Sequence, residues 1–161
     1  MPEIIVIAHN IRSTYNIGSI FRSCEGFGVY KIILSGYSPY PKLLNDLRLP
    51  HIADKMTLQI HKTALGAEIM VPFEHEEVPD LDSLKKQGYT IVGLEQDEQS
   101  TQLSEYSAPA KIALILGEEV YGIPNEFLIK CDDIIEIPMV GKKESYNVSV
   151  ATGIALYALT I

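Results

Sequence analysis

The sequence predicts an α/β domain in which a mostly parallel sheet is flanked by helices. Segments rich in β-branched residues alternate along the chain with segments whose apolar residues recur at spacings of three and four. Several of the predicted strands are apolar throughout, as in Ile112 to Leu116, which is typical of strands covered on both faces. The 161 residues suit one core, so we expect residues 1–161 to form a single domain.

Six strands and five helices are predicted. The strands lie at Glu3 to Ala8, Lys31 to Ser35, Ile69 to Val71, Thr90 to Glu95, Lys111 to Leu116 and Ile134 to Ile137. The helices lie at Ile17 to Phe27, His61 to Ala67, Asp80 to Gln87, Asn125 to Lys130 and Val148 to Leu159. Gly26 and Gly28 are expected to end the first helix, and Pro124 suits the first turn of the fourth.

The last predicted helix, Val148 to Leu159, is apolar on nearly every side. A terminal helix in a chain of this length normally keeps one face in water, and the small residues Gly153 and Ala155 allow close helix contact. Either the chain itself encloses this helix, or a second subunit covers it. We favour the second subunit and predict a homodimer that packs through the C-terminal helix.

The composition limits the classes of function. A net charge of −8 argues against a general nucleic-acid binder, because attraction to phosphate dominates that affinity, so binding to RNA would need a local basic patch. No apolar run is long enough for a membrane span. The N-terminal residues have the pattern of a first strand and not of a signal peptide, and Cys24 and Cys131 are too few for a disulfide framework. We therefore expect free thiols and a cytoplasmic location.

The first segment that can carry chemistry runs from Asn16 through Gly18 to Arg22. Asn16 can cap a helix, and Gly18 allows the backbone of another element to approach closely. By itself, this segment is only a capped amphipathic helix with one arginine.

The second segment, Leu116 to Pro124, takes a buried strand directly into a loop that contains two glycines and two acids. Ligands of open α/β sheets bind beyond the carboxyl ends of the strands. The loop lacks the lysine and the glycine spacing of a phosphate cradle, and its acids repel phosphate. It favours a cofactor with a neutral or cationic group.

The third segment runs from Ile137 to Ser149, where a strand ends, a polar loop follows and the apolar last helix begins. Ser145, Asn147 and Ser149 can each cap that helix. One helix start needs only one cap, so the surplus indicates a polar site at the helix N-terminus.

Together, the three segments resemble the signature motifs of the SpoU branch of the SPOUT RNA methyltransferases. The matching patterns, in chain order, are N-x-G-x-x-x-R, L-G-x-E-x-x-G and I-P-M-x-G-x-x-x-S-x-N-V-S. The stretch from Lys62 to Glu68 is also common in short members of this family, and the resemblance covers nearly the whole chain. Two positions depart from the pattern: Tyr146, where leucine is usual, and Glu118, where asparagine or serine is common.

The resemblance implies a C-terminal deep trefoil knot, a homodimer and transfer of a methyl group from S-adenosylmethionine to a ribose 2′-hydroxyl of tRNA or rRNA. The implied cofactor-binding residues are Leu116, Gly117, Ile137, Met139, Ser145 and Val148. The implied catalytic residues are Asn16, Arg22, Glu119, Ser145 and Asn147. Arg22 would act from the neighbouring subunit, either as a base or by holding a phosphate and stabilising developing charge. No metal is expected, because the four histidines show no ligand spacing.

Three classes of function remain open: an RNA 2′-O-methyltransferase, a non-catalytic RNA-binding relative, and a small-molecule enzyme on a similar sheet. The five intact motif residues argue against the second, and the absence of G-x-G-x-x-G after the first strand weakens the third. The chain leaves no room for the extra RNA-binding domain that many relatives carry, so we expect a basic patch or a partner protein to recruit the RNA. The candidate contacts are Arg12, Arg22, Arg48, Lys62, Lys142 and Lys143. The turn from Gly36 to Pro41 is either a rigid surface loop, which we favour, or a further RNA contact.

Overall fold

A seven-stranded sheet forms the centre of the computed structural model, which describes every residue from 1 to 161. Its strands are β1 (Glu3–His9), β2 (Lys31–Ser35), β3 (Phe73–Glu76), β4 (Thr90–Leu94), β5 (Thr101–Gln102), β6 (Lys111–Leu116) and β7 (Asp133–Glu136). Their order across the sheet is β3-β2-β1-β6-β4-β7-β5, and every pair is parallel. The predicted fold class is confirmed.

Six helices accompany the sheet. They are α1 (Thr14–Gly26), α2 (Pro50–Ala64), α3 (Ala67–Met70), α4 (Leu81–Lys86), α5 (Asn125–Leu128) and α6 (Val148–Thr160). No helix combines the length and the apolar character that crossing a membrane requires.

The two faces of the sheet bury two separate cores. Alternate residues of a strand point to opposite faces, so Ile4 and Val6 pack towards α1, α2 and α6, whereas Ile5 and Ile7 pack towards α4 and α5. Since both faces are covered, β1 and β6 are apolar at almost every position. This is the physical reason for the continuous apolar runs in the sequence.

The last helix has one buried and one exposed face. Ala155, Leu156 and Leu159 are buried and α6 packs against α1, where Phe27 contacts Tyr157 edge to face at 6.5 Å between ring centroids. Val150, Ile154 and Tyr157 are 51%, 37% and 58% exposed. The alternative in which the chain encloses this helix by itself is wrong, and an apolar face is left in contact with solvent.

Two element predictions are wrong. Ile69 to Val71 is not a strand: Ile69 lies in α3, where it is 83% exposed, and the strand follows at β3. β3 is an edge strand of sequence FEHE without a fully buried residue, so it lacks the apolar signal of a strand. The second helix does not begin at His61 but at Pro50, because α2 buries only three residues over its length and its apolar periodicity is weak.

The ends of the other predicted elements agree with the structure to within a few residues, and the cysteines are free thiols. Cys24 is buried in the core, and burial raises its pKa above the ordinary value. Burial, followed by the charge of Asp132, raises the pKa of Cys131 to about 11. Both thiols are therefore protonated at neutral pH.

Candidate functional site

A cleft of about 490 Å³ lies at the carboxyl ends of β4, β6 and β7. The segments that follow these strands line it, at residues 94–97, 116–123 and 136–137, together with residues 144–146 and the start of α6. Parallel strands bring their carboxyl ends to one edge of a sheet, so the second and third sequence motifs meet there.

The loop after β6 requires glycine at two positions. Glu118 N donates to Gly122 O at 3.1 Å, and Gly122 N donates to Glu118 O at 2.9 Å, which folds the loop back on itself. A Cβ atom on Gly117 would lie 2.4 Å from the carbonyl carbon of Gly122. Gly122 has a φ of +71°, and a Cβ atom there would lie 2.0 Å from Oε2 of Glu95. The two glycines of the motif therefore shape this wall of the cleft.

Glu95, which the sequence analysis did not single out, fastens this loop to β4. Its Oε2 accepts a hydrogen bond from Ile123 N at 2.9 Å, and its Oε1 accepts one from Gln96 N at 3.0 Å. The available signal was its position, since a carboxylate directly after a buried strand of a parallel sheet lies at the ligand-binding edge.

Three hydrogen-bonded side chains join the three sequence motifs beside the cleft. Asn16 Nδ2 donates to Glu119 Oε1 at 3.2 Å, and Asn147 Nδ2 donates to Asn16 Oδ1 at 3.2 Å. Asn147 Oδ1 in turn accepts from the backbone N–H of Ser149 at 2.9 Å, so it caps α6. Residues that are more than a hundred positions apart in the chain thereby form one connected group.

Asn16 is available for this group because another residue caps α1. Ser13 Oγ accepts the hydrogen bond of Asn16 N at 3.2 Å, so the prediction that Asn16 caps the first helix is wrong. The helix begins three residues earlier than predicted, which turns Asn16 from a cap into a side chain of the first turn. The predicted close approach at Gly18 is confirmed, since a Cβ atom there would lie 2.3 Å from Ile60 O on α2.

Most of the predicted cofactor-binding residues line the cleft. The lining includes Leu116, Gly117, Ile137, Ser145 and Val148. Met139 is half-buried and is not part of the lining. Among the predicted catalytic residues, Glu119 and Ser145 line the cleft. Asn16 is hydrogen-bonded to Glu119, and Asn147 is connected to it through Asn16.

Arg22 does not line the cleft. Its exposed side chain borders a groove between α1 and α2, which it shares with Lys62 and the hydroxyl groups of Ser19 and Ser23. Within one chain, the predicted catalytic arginine and the cleft are therefore not brought together.

The other predicted RNA contacts are divided. Lys142 and Lys143 are exposed and directly precede Glu144 of the cleft, while Arg12 lies over the ring of Tyr37 with its Cζ atom 5.7 Å from the centroid. Arg48 is engaged within the protein, because it pairs with Asp46 at 2.6 Å and donates to the backbone of residues 40 and 41.

Carboxylates surround the cleft and no lysine or arginine lines it. The acids are Glu95, Asp97, Glu118, Glu119, Glu136 and Glu144. Apolar side chains such as Leu94, Ile123 and Ile137 form the walls between them. An apolar cavity with negative charge at its rim suits a ligand that combines a flat apolar ring with a positive group, and it repels phosphate.

The chain matches the model of the SpoU rRNA Methylase family over residues 3–157. It is 31% identical over 155 residues to a tRNA (guanosine(18)-2′-O)-methyltransferase of Aquifex aeolicus, covering 96% of the chain and 67% of that protein. It is 32% identical over 158 residues to a 23S rRNA (guanosine-2′-O-)-methyltransferase of Coxiella burnetii, covering 97% of the chain and 57% of that protein.

A crystal structure of the A. aeolicus TrmH/SpoU tRNA modifying enzyme superposes with a TM-score of 0.80 at 27% identity, over 99% of this chain and 75% of that one. The chain spans between about a tenth and just over half of the length of several curated relatives that it matches. The family model nevertheless covers almost every residue, including all three motifs. The chain therefore belongs to the SpoU rRNA Methylase family.

Proposed function

We propose that this chain is a single-domain enzyme, residues 1–161, that transfers the methyl group of S-adenosylmethionine to a ribose 2′-hydroxyl of tRNA or rRNA. The observation that carries the proposal is the hydrogen-bonded group of Asn147, Asn16 and Glu119 at the edge of an apolar, carboxylate-lined cleft. The membership of the family and the 2′-O-methyltransferase names of two relatives support the reaction type.

The cleft fits the cofactor in volume and in chemistry. Its 490 Å³ lies within the usual range for a small-molecule site. Leu116, Ile137 and Val148 offer apolar contacts to an adenine ring, and Gly117 exposes backbone to it. S-adenosylmethionine supplies, when bound, a methyl group on a positively charged sulfur. The carboxylates at the rim, Glu118 and Glu119 among them, match that charge and the ammonium group of the amino acid part.

The side chains at the rim prepare the acceptor. We assign Asn16 and Asn147 to positioning the ribose, because their amides are hydrogen-bonded to one another and Glu119 holds that of Asn16. Ser145 also lines the cleft and offers a hydroxyl group. A methyl transfer needs alignment of the attacking oxygen more than acid catalysis, and a pre-formed hydrogen-bonded group provides that alignment.

We assign Arg22 to the cleft of the partner subunit. The exposed apolar face of α6 requires a cover, and α6 also forms part of the cleft through Val148 and Ala151. Because α1 packs against α6 within each chain, a dimer through α6 brings α1 of one subunit towards the cleft of the other. A guanidinium group stays protonated in proteins, so we assign it to hold a phosphate and to stabilise the developing charge, and not to act as a base. A C-terminal trefoil knot is part of this proposal, as the fold of the family implies.

The unpaired cations support binding of RNA by a protein whose net charge is −8. Six of the 13 lysines and arginines lie in ion pairs with carboxylates. The cations without such a partner include Arg22, Lys62, Lys142 and Lys143, which belong to the family motifs or lie next to them. We propose that these groups contact RNA phosphates in the cytoplasm, with a partner protein as a further means of recruitment.

Transfer of labelled methyl groups to separated tRNA and rRNA tests the proposal. The RNA comes from cells that lack this gene, so that the target nucleotide is unmethylated. We expect label in one fraction, released as a 2′-O-methylnucleoside and absent with Arg22→Ala. A wild-type protein that binds RNA but neither binds the cofactor nor transfers label would favour the non-catalytic relative instead.

A further inference from the structure

We propose that Tyr37, flanked by Arg12, is a stacking platform for an unpaired base of the RNA. The identity of the ligand as RNA rests on the proposed function. The platform itself rests on three features of the structure: a rigid backbone under Tyr37, an exposed ring, and a position beside the motif residues of the cleft.

The backbone at Tyr37 is fixed from below by Asn10, which directly follows β1. Asn10 has a φ of +54°, and its Oδ1 accepts the hydrogen bond of Tyr37 N at 3.0 Å. Gly36, which directly precedes Tyr37, has a φ of +62°, and a Cβ atom there would lie 1.9 Å from Oδ1 of Asn10. An asparagine and a glycine, both with a left-handed backbone conformation, thus determine the direction of this turn.

Ser38, the residue after Tyr37, holds the turn with further hydrogen bonds. The buried Ser38 donates its hydroxyl proton to Ala8 O at 2.8 Å and accepts a hydrogen bond from Ile11 N at 2.8 Å. The turn after β2 is therefore bonded to residues on both sides of Asn10. Such anchoring keeps the backbone of Tyr37 in one position, which lowers the entropy cost when a ligand contacts the ring.

The two tyrosines of this turn have different surroundings. Tyr40 is covered on both sides, by the ring of His75 at 3.9 Å between centroids and by the guanidinium of Arg48 at 3.6 Å. Tyr37 is 52% exposed, and its neighbour Arg12 lies 5.7 Å from its centroid. Tyr40 thus stabilises the turn, whereas Tyr37 keeps ring surface available to a ligand.

The platform lies next to the proposed site of methyl transfer. β1 lies between β2 and β6, with His9 opposite Ser35 and Ala8 opposite Leu116. The segments that follow these three strands, which carry Arg12, Tyr37 and the loop of the cleft, therefore leave the same edge of the sheet. Glu119 of that loop holds Asn16. Since the carboxylates at the rim repel phosphate, a base is the part of an RNA strand that this surface suits best, and the flat faces of tyrosine and arginine are what an unstacked base binds.

A fluorescence experiment tests the stacking directly. The chain has no tryptophan, so Tyr37→Trp introduces a single indole reporter. Tyr30→Trp is a matched control, because Tyr30 is 57% exposed and lies just before β2, at the opposite end of the same strand. We expect unmethylated tRNA or rRNA, whichever fraction the wild type binds, to quench the Tyr37→Trp protein and not the Tyr30→Trp protein. Equal or absent quenching in the two would overturn the platform.

Steady-state kinetics of two further Tyr37 variants, one that keeps an aromatic ring and one that removes it, give an independent test. We expect Tyr37→Phe to retain the wild-type KM for RNA, and Tyr37→Leu to raise it by about fivefold or more, with cofactor affinity unchanged. A normal KM in Tyr37→Leu would overturn the platform while methyl transfer by the wild type upholds the proposed function. Selective quenching of Tyr37→Trp in a protein without methyl transfer would uphold the platform and overturn the proposed function.

Discussion

Asn147 donates a hydrogen bond to Asn16 at 3.2 Å, and this contact spans 131 positions of the chain. Asn147 uses its carbonyl oxygen to cap α6 and its amide nitrogen to hold Asn16. The same side chain therefore fixes the start of the last helix and the orientation of the first motif. Asn147 therefore contributes both to the stability of the fold and to the geometry of the site, and two different substitutions of it separate these contributions.

Asn147→Asp is expected to retain stability and to lose activity. Aspartate keeps the oxygen that caps α6 but lacks the N–H that donates to Asn16. We expect a free energy of unfolding close to that of the wild type and a fall in the rate of methyl transfer of about tenfold, because Asn16 loses the hydrogen bond that orients it in the site. Urea unfolding and transfer of labelled methyl measure the two effects.

Asn147→Ala provides the contrast, because it removes the cap as well and is expected to cost about 1 kcal/mol of stability. An Asn147→Asp protein with full activity would show that the contact with Asn16 is dispensable for the reaction.

Gly122→Ala is expected to weaken binding of S-adenosylmethionine. The substitution forces a side chain into a left-handed conformation and against Oε2 of Glu95, so the wall of the cleft must move. Returning the altered loop to the left-handed conformation on binding costs about 1–2 kcal/mol, which corresponds to about tenfold in affinity. Calorimetric titration with the cofactor measures the loss, and Gly141→Ala is the control, since no atom lies within 4 Å of the added Cβ. Equal affinities of the two variants would contradict this account of the loop.

Variants of Arg22 and Glu119 are expected to complement one another in mixed dimers. If Arg22 acts in the cleft of the partner subunit, a mixed dimer of Arg22→Ala and Glu119→Ala contains one intact site. Random assortment then restores about a quarter of the wild-type activity from two inactive proteins, and the purified mixed dimer, with one intact site of two, has about half. Co-expression with two different tags, purification of the mixed dimer and a methyl transfer assay provide the measurement. Mixed dimers without activity would place Arg22 and Glu119 in the same chain's site.

Ile154→Lys is expected to convert a dimer into a monomer. Ile154 lies in the middle of the exposed apolar face of α6, between Val150 and Tyr157, and a charge at an apolar interface is costly. Sedimentation velocity measures the change in mass. Leu58→Lys is the control, because Leu58 is 66% exposed on α2, which packs against α1. A wild-type monomer, or a dimer that survives Ile154→Lys, would exclude this interface.

The stability is expected to fall at acidic pH through Glu68. Its buried carboxylate lies 2.5 Å from His61 Nδ1 and accepts a hydrogen bond from Gly66 N at 2.9 Å. Burial alone raises the pKa of Glu68, but the hydrogen bonds from His61 and from backbone N–H groups outweigh it, so that the pKa lies below the usual 4.5. The unfolded chain therefore binds this proton first, and the stabilisation is present above pH 4.5 and lost as the pH falls.

We expect Glu68→Gln to lower the free energy of unfolding by about 1 kcal/mol at pH 7 and to differ less from the wild type at pH 3. Urea unfolding at both values measures this, with Glu74→Gln as a control at an exposed position. A difference that is constant with pH would show that the Glu68 charge does not contribute.

The sequence alone determined the central strands of the sheet, because the apolar runs of β1, β2 and β6, like the periodicity of α1, are local consequences of burial. It did not determine β3 or the first half of α2, since these elements lie at the edge or on the surface and bury too little to produce a pattern. The motifs likewise identified Glu119 and Asn147, since loops that follow buried parallel strands are where ligands bind.

Only the tertiary structure decided which of these residues touch. The bond from Asn16 to Glu119 depends on Ser13, and not Asn16, capping α1. The role of Glu95 and the anchoring of Tyr37 by Asn10 depend on contacts between loops that follow different strands. Local propensity acts over a few residues, whereas these contacts form when the sheet brings distant strand ends to one edge. The sequence therefore identifies the groups, and the fold selects their partners.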